Sequence, residues 1–289
     1  MISDLIFDVG MNNGDDTAYY LFKGFRVVAI EADPALIECA RERFAEPIRQ
    51  GRLQLVNAAI GPRQEMAPFW ICESKSEWNS FDRGIASREG RSCHAIEVHC
   101  RPFRDLLKQY GVPYYLKIDI EGHDIFCVAD LDSRDLPHYV SLEMGSGVEP
   151  LWALRDVGYK SYKLITQNDH SQLSVDLLSL KALVKRKLHP YPALYRFGRS
   201  LAQAGRQLLP VASVHSNHHG PETSGRPWAF TFGSSGPFGE DTNGSWRTLE
   251  ETAYTWIAFQ LGHTVYGPPG PPHLSVWHDV HARSVEASD

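Results

Sequence analysis

The chain has 289 residues, a net charge of −6 and an ordinary globular composition, with 43% hydrophobic and 22% charged residues. This length can bury a full core, and the acidic balance argues against nucleic acid binding over the whole surface. No run of 18 apolar residues occurs, which argues against a membrane-spanning helix.

The N-terminal sequence and the cysteine usage indicate the cellular compartment. A strand-like apolar pattern begins within the first five residues, which leaves no room for a signal peptide. The five cysteines are an odd number without paired spacing. This usage is typical of reduced thiols rather than of a disulfide set or a zinc site. We therefore expect a cytoplasmic protein.

Apolar runs and helical patterns alternate from the N-terminus to residue 166. Strands are predicted over 4–9, 26–32, 53–60, 114–120, 139–144 and 159–166, and helices over 15–23, 34–46, 102–110, 123–131 and 149–157. Two shorter strand-like pieces, 67–72 and 96–100, predict an additional hairpin near the active-site edge. The alternation predicts an α/β fold with a doubly wound, Rossmann-like parallel sheet.

Three regions are predicted along the chain. Residues 1–166 form a cofactor-binding core, 167–227 a basic helical insertion or lid, and 228–289 the strands and helix that complete the core. In the last region we expect a returning strand at 228–233, a helix over 247–261 and an edge strand near 277–281.

The insertion is distinguished by its charge. No acidic residue occurs between Asp176 and Glu222, whereas seven lysines and arginines lie within 181–206, interleaved with apolar residues. Such a segment can rest on an anionic membrane surface, hold an anionic substrate, bind a partner, or simply form the solvated face of a helical lid. These alternatives stay open. We expect no nucleic acid partner.

A glycine-bracketed turn follows the first strand. Asp8 ends an apolar run, and Gly10-Met11-Asn12-Asn13-Gly14 leads into a helix start. A dinucleotide fingerprint needs Gly-x-Gly-x-x-Gly, and here Asn12 occupies the place of the second glycine. An acid before the turn would repel a pyrophosphate, but it can accept a hydrogen bond from the ammonium of S-adenosylmethionine, directly or through water. We therefore favour S-adenosyl-L-methionine over NAD.

Further cofactor-binding candidates end the next two strands. Glu31 follows Gly10 by 21 residues, the place where an acid reaches ribose hydroxyls. Asp33 follows it and also provides an N-cap for the next helix. Asn57, with Ala58 beside it, ends the third predicted strand, where it can meet the adenine or ribose.

Catalytic candidates cluster at the end of the fourth strand. We select Lys117, Asp119, Glu121 and His123, with the first three expected on one side of an extended segment. Methyl transfer to a hydroxyl needs a base near the acceptor oxygen, and an acid or histidine here can supply it. These groups, with Glu143, can also hold a divalent cation. We do not favour a metal, because acids this close in sequence also occur in metal-free sites.

Four ordered motifs resemble the FkbM family of S-adenosylmethionine-dependent methyltransferases. They lie at 7–14, 29–34, 57–61 and 116–122, including Asp-x-Gly-x-Asn-x-Gly and Lys-x-Asp-x-Glu-Gly. The resemblance covers about residues 4–166. It implies a class I methyltransferase sheet, cofactor binding by Asp8, Gly10, Asn12, Glu31 and Asn57, and Asp119 and Glu121 at the reaction edge.

The same resemblance implies O-methylation of a hydroxyl on a sugar, glycan, polyketide or other secondary metabolite. His123-Asp124 departs from the family's usual residues, which puts the role of His123 in question. The insertion lies outside the shared core, so neither the acceptor nor the oligomeric state follows from the resemblance. Two alternatives stay open: an NAD-linked oxidoreductase on the same architecture, and a binding module of this fold without turnover.

Overall fold

A computed structural model of the chain describes residues 1–174, 228–231, 233–266 and 277–284. Within these ranges the strands are β1 (Ile2–Val9), β2 (Arg26–Glu31), β3 (Leu53–Asn57), β4 (Ala59–Ile60), β5 (Glu65–Cys72), β6 (Cys93–Arg101), β7 (Pro113–Ile118), β8 (Tyr139–Glu143), β9 (Ser161–Thr166) and β10 (His278–Arg283). The helices are α1 (Asp15–Phe22), α2 (Pro34–Arg43), α3 (Ala45–Arg49), α4 (Arg83–Ala86), α5 (Phe103–Tyr110), α6 (Asp124–Ala129), α7 (Glu149–Val157) and α8 (Leu249–Tyr266).

Seven strands form the main sheet in the order β3-β2-β1-β7-β8-β10-β9. The pairings among the first five are parallel, whereas β10 runs antiparallel to both β8 and β9. The predicted α/β fold is confirmed. The prediction of an edge strand near 277–281 is wrong, because β10 inserts between two strands that precede it in the chain.

Apolar side chains pack on both faces of this sheet. On β1, Leu5, Phe7 and Val9 point into the core formed with α5, α6, α7 and α8, whereas Ile6 joins the core under α1 and α2. Successive side chains of a strand point to opposite faces. The buried Asp8 therefore shares the face of Ile6 and lies beneath α1.

A second, three-stranded sheet has the order β4-β6-β5. The predicted hairpin is present as the antiparallel pair β5–β6. The predicted strand 53–60 is divided between the two sheets, since β3 pairs with β2 and β4 pairs with β6. Ala58 lies at the break, where its N–H bonds to the carbonyl of Glu31.

The remaining predictions of secondary structure are confirmed only in part. Asp33 caps α2 as predicted, with its carboxylate accepting from the N–H of Ala35 at 2.8 Å. The helix predicted over 247–261 is confirmed by α8, but 228–231 form no strand. Most of the predicted basic insertion, 175–227, lies outside the described residues. Within the described ranges, no helix is long and apolar enough to span a membrane.

Candidate active site

The turn after β1 packs against the turn after β7. The N–H groups of Gly10 and Met11 both donate to the carbonyl of Ile30, and Gly10 has a φ of +80°. A Cβ atom on Gly10 would lie 1.8 Å from the carbonyl oxygen of Asp119. Only glycine adopts this conformation without cost and allows so close an approach of two backbones.

Beneath this turn, Lys117 is surrounded by carboxylates. Asp8 and Lys117 are direct partners on adjacent strands, and the Lys117 Nζ lies 3.2 Å from the Asp8 carboxylate. The same Nζ donates to the carbonyl of Gly10 at 2.7 Å and lies 3.9 Å from Asp119 and 4.0 Å from Asp16. A single buried ammonium therefore attracts carboxylates from β1, α1 and the turn after β7, and it links the two turns.

This arrangement does not suit Lys117, one of the catalytic candidates, to proton transfer. Burial alone would lower the pKa of Lys117, but the carboxylates of Asp8, Asp119 and Asp16 raise it above its usual value. The ammonium keeps its proton at physiological pH, so Lys117 acts as a positioning cation.

Glu31 is held at the end of β2 by backbone donors. Its two carboxylate oxygens accept from the N–H groups of Asn12 and Asp33, each at 2.9 Å. Burial raises the pKa of Glu31, and these two hydrogen bonds oppose that rise. These two hydrogen bonds fix the Glu31 side chain in the wall of the neighbouring cavity. Its oxygens can accept further hydrogen bonds there.

The end of β7 opens into a strained turn rather than an extended segment. The strand stops at Ile118, and Glu121 adopts a φ of +46°. The prediction that alternation aligns Lys117, Asp119 and Glu121 is therefore wrong. The three side chains still meet at one cavity, because the turn redirects Glu121.

Among the residues of this turn, Glu121 has a shifted pKa that a proton-transfer step can use. Its carboxylate pairs with Arg88 at 3.3 Å, and its carbonyl accepts from the Ser80 hydroxyl. Burial and the nearby Asp119 raise the pKa of Glu121 to about 7, in spite of Arg88. A carboxyl group poised near neutrality can accept and release a proton under physiological conditions.

His123 occupies the N-cap position of α6. Its Nδ1 lies 3.2 Å from the carbonyl oxygen of Ile60, and its ring stacks on Phe81 with centroids 4.3 Å apart. The ring forms part of the cavity wall. These contacts give His123 a structural role in joining β4 to the turn.

A cavity of about 200 Å³ lies at the carboxyl ends of β1, β2, β7 and β8. Its wall is strongly acidic. Among the described residues the lining cations are Lys75 and Lys117, whereas the lining acids are Asp15, Asp16, Glu31, Glu77, Asp119, Glu121 and Glu143. Such a wall favours a cationic ligand and disfavours a pyrophosphate.

The sequence comparison decides the family. The profile described as the methyltransferase FkbM domain matches residues 8–161. The chain belongs to the FkbM methyltransferase family. The resemblance stated from the four motifs is thus confirmed, and methyl transfer is the activity of this class.

Other comparisons add little to the FkbM assignment. No curated protein matches the chain. Among solved structures, precorrin-6y C5,15-methyltransferase from Geobacter metallireducens GS-15 is similar, with 15% identity and a TM-score of 0.32. That alignment covers 58% of this chain and 71% of the other.

Membership of the FkbM methyltransferase family implies the use of S-adenosylmethionine as cofactor. The residues that line the cavity fit this cofactor. The ligand carries two cationic groups and no phosphate, which suits the acidic wall. The Gly10 turn packs closely on Asp119 and both residues line the cavity, and Glu31 presents fixed carboxylate oxygens at the end of β2. Within the part of the chain that the structure describes, no group of three or more histidine, cysteine, aspartate or glutamate side chains is placed to hold a metal.

The cavity brings most of the predicted FkbM site residues together. Those that line it are Gly10, Asn12, Asn13, Glu31, Ala58, Lys117, Asp119, Glu121 and His123. Asp8, Gly14, Asp33 and Asn57 lie behind this wall and support it.

Asp8 differs most from its predicted role. Its side chain is fully buried, with one oxygen accepting from the Thr17 hydroxyl at 2.6 Å and the other facing Lys117. It therefore does not reach into the cavity to accept from a ligand ammonium. Asp16 and Asp119, on either side of the same lysine, line the cavity in its place.

The other three supporting residues stabilise the turns behind the cavity wall. Gly14, with a φ of +82°, is the N-cap of α1, and Asp33 accepts from the Asn79 amide at 3.2 Å besides capping α2. The Asn57 amide donates to the carbonyls of Glu31 and Ala32. Asn57 thus braces the turn after β2 instead of meeting the adenine or ribose directly.

Several lining residues were not predicted. Asp16 does have a local signal, because it lies in the first turn of α1 directly after the glycine-bracketed turn. Ser76 and Asn79 come from the loop after β5, and Ser234 follows the insertion; Ser234 donates to Asp16 and Ser76 donates to Asn12 at 2.7 Å. These contacts span more than 60 residues of chain, so no local pattern signals them.

Proposed function

We propose that this FkbM methyltransferase transfers the methyl group of S-adenosylmethionine to a hydroxyl of a sugar, glycan or secondary metabolite. The observation that carries the proposal is Glu121, a carboxyl group with a near-neutral pKa in the wall that also holds Asp119 and Glu31. A hydroxyl acceptor needs such a base, whereas a more acidic acceptor does not.

The remaining lining residues support a polyhydroxylated acceptor. Gln167, Thr231 and Ser234 line the cavity while each donates to a carboxylate, which leaves their oxygens as acceptors, and the aromatic Trp277 lines the same cavity. A few convergent polar groups beside an aromatic surface are typical of sites that orient polar small molecules. The predicted contact of 181–206 with a membrane surface or anionic acceptor concerns residues outside those described and stays a prediction.

The chain's own residues divide the work. Glu31, Asn12 and the Gly10 turn would hold the cofactor, and Asp16 and Asp119 would face its positive charge. When bound, S-adenosylmethionine supplies an electrophilic methyl group. Glu121 would accept the proton of the acceptor hydroxyl, and Arg88 would stabilise the carboxylate before that transfer. The charged Lys117 keeps Asp119 placed throughout.

Calorimetry with S-adenosylhomocysteine and, separately, NAD tests the cofactor. We expect micromolar binding of the first and none of the second; the reverse would establish the oxidoreductase alternative. Isotopically labelled S-adenosylmethionine with a panel of saccharides and hydroxylated metabolites then tests the reaction. Label on an acceptor oxygen supports the proposal, whereas label on nitrogen, carbon or sulfur, or binding without turnover on any acceptor, contradicts it.

The Glu31→Gln variant should bind S-adenosylhomocysteine more weakly by about 1–3 kcal/mol, the usual loss for a charge-assisted hydrogen bond. An amide keeps one acceptor oxygen, so it cannot accept from both Asn12 and Asp33. Calorimetry measures the change. Glu38→Gln, on the exposed face of α2, is the matched control and should bind as the wild type does. Equal affinities in all three proteins would remove Glu31 from the site.

The Glu121→Gln variant should lose about 10²–10⁴-fold in turnover and keep nearly all of its S-adenosylhomocysteine affinity, since only proton transfer is removed. The wild-type rate should rise with pH through about 7, as Glu121 loses its proton, and this limb should vanish in the variant.

Glu143→Gln is the control for the Glu121 prediction. Burial and the nearby Asp119 and Glu121 raise the pKa of Glu143 well above its usual value, which disfavours the ionised form that a base needs. A larger loss of turnover in Glu143→Gln than in Glu121→Gln would transfer the basic role to Glu143.

A further inference from the structure

The β5–β6 hairpin brings two cysteines together that are 21 residues apart in the chain. Cys72, the last residue of β5, lies directly opposite Cys93, the first residue of β6. We propose that Cys72 and Cys93 form a cross-strand disulfide when the protein meets a small-molecule disulfide oxidant such as oxidised glutathione. The proposal is independent of the methyl-transfer reaction.

The hydrogen bonds show which kind of cross-strand pair this is. Opposed residues in an antiparallel pair alternate between hydrogen-bonded and non-hydrogen-bonded sites. The Glu73 N–H donates to the carbonyl of Ser92, one step further along, and the Cys72 N–H points away from β6 to the Asn79 side chain at 2.9 Å. Cys72 and Cys93 therefore occupy a non-hydrogen-bonded site.

Two further positions on β5 confirm that Cys72 lies at a non-hydrogen-bonded site. The Trp70 N–H bonds to Ser80, on the side away from β6, and Pro68, which has no N–H, lies two residues earlier. Positions 68, 70 and 72 thus share the same non-hydrogen-bonded register. At such sites the Cα atoms are about 4.5 Å apart and both side chains project from the same face, within the range of about 4.4–6.8 Å that disulfides need.

Exposure gives the two thiols different roles. Cys93 is partly exposed, whereas Cys72 is buried. The Cys93 thiolate attacks one sulfur of oxidised glutathione, which forms a mixed disulfide and releases one glutathione thiolate. The Cys72 thiolate then attacks Cys93 Sγ, which forms the cross-strand bond and releases the second. The two thiol protons pass to the two glutathiones, so oxidation of the cysteine pair balances reduction of the oxidant.

The bond would fix one wall of the cavity. Cys72 binds Asn79 through its N–H, and Asn79 donates to Asp33 and lines the cavity together with Lys75. A Cys72–Cys93 bond closes the loop 73–92, which carries these lining residues. It should therefore stabilise this loop against unfolding, because cross-linking restricts the unfolded chain.

The test incubates the full chain with glutathione at defined ratios of oxidised to reduced form, followed by tryptic mass spectrometry without reduction. We expect peptides 64–75 and 92–104 to be linked under oxidising conditions and separate under reducing ones. Peptide 92–104 also contains Cys100, so variants must assign the bond. Cys93→Ser should abolish the link, and Cys100→Ser, opposite Glu65 in the same hairpin, should retain it.

Thermal unfolding is the second readout. Oxidation should raise the melting temperature by about 5 °C in the wild type and in Cys100→Ser, but not in Cys93→Ser. Reduced Cys93→Ser should melt as the reduced wild type does, which shows that the partly exposed site tolerates serine. A stable glutathione adduct on Cys93 without the link, or a link that requires Cys100, would overturn the proposal.

Discussion

Replacement of Gly10 with alanine should abolish measurable binding of S-adenosylhomocysteine. The new Cβ would lie 1.8 Å from the carbonyl oxygen and 2.8 Å from the carbonyl carbon of Asp119, both of them backbone atoms. One of the two turns must therefore move by about an ångström. A misplacement of this size costs about 100-fold in the rate of an ordered active site, and we expect a comparable loss of ligand affinity. The variant should also lose roughly 2–5 kcal/mol of stability, from left-handed strain and overpacking together.

The matched control is Gly51→Ala. Gly51 also has a positive φ, +69°, but a Cβ there meets nothing within 4 Å. It lies in the turn between α3 and β3 and does not line the cavity. Only the conformational cost of about 1–2 kcal/mol should appear, and ligand affinity should be unchanged. Calorimetry and denaturant unfolding on both variants separate strain from the clash, and full ligand affinity in Gly10→Ala would show that the two turns are not tightly coupled.

The strand ends that form the site could be predicted from sequence. Glycine and acid residues directly after apolar runs indicated the turns after β1, β2 and β7. Parallel strands bring such turns to one edge of the sheet, so nine predicted residues do line one cavity. This part is local: it depends on hydrophobic period, turn residues and chain direction.

Side-chain direction could not be predicted in the same way. Asp8 precedes the turn, and its orientation depends on the pairing of β1 with β7, which places Lys117 opposite and leaves no open path to the cavity. Asn57 ends β3, but the carbonyls of Glu31 and Ala32 lie within its reach and take both of its amide donors. In each case a tertiary partner determines the role, and the partner is distant in sequence.

Topology explains the remaining errors. In the sequence, β10 resembles any other short strand. Only its antiparallel pairing with β8 and β9 shows that it lies inside the sheet. Cys72 and Cys93 have no motif spacing, and the hairpin register alone sets them opposite each other. Register is a property of two segments, so composition and spacing in one segment carry no signal for it.

Lys117→Met should destabilise the protein by about 3–5 kcal/mol near neutral pH, the usual cost of removing one partner of a buried ion pair. Asp8 is fully buried and Lys117 is 3% exposed, so solvent screens their interaction little. Methionine fills similar space without the charge, which leaves Asp8 facing Asp16 and Asp119 with no cation. Denaturant unfolding measures the loss, and the Asp8→Asn, Lys117→Met double variant should recover part of it. Recovery should be partial because Asp16 and Asp119 remain.

The loss of folding stability in Lys117→Met should also depend on pH. Burial raises the pKa of Asp16 and of Asp119 in the folded wild type, and Lys117 opposes both rises. Without the ammonium these folded-state pKa values rise further above the unfolded value of about 4. A raised carboxyl pKa means that stability is retained at low pH and lost as pH increases. The deficit should therefore be smaller at pH 5 than at pH 8.

Lys108→Met provides the comparison for a surface charge. Its Nζ lies 3.6 Å from Asp105, with 75% of the lysine side chain and 40% of the aspartate exposed. An exposed pair contributes less than about 1 kcal/mol, so this variant should unfold almost as the wild type does at both pH values. A Lys117→Met deficit as small as that of Lys108→Met would mean that the acids relax into solvent. Lys117 would then not be the cation that holds the two turns together.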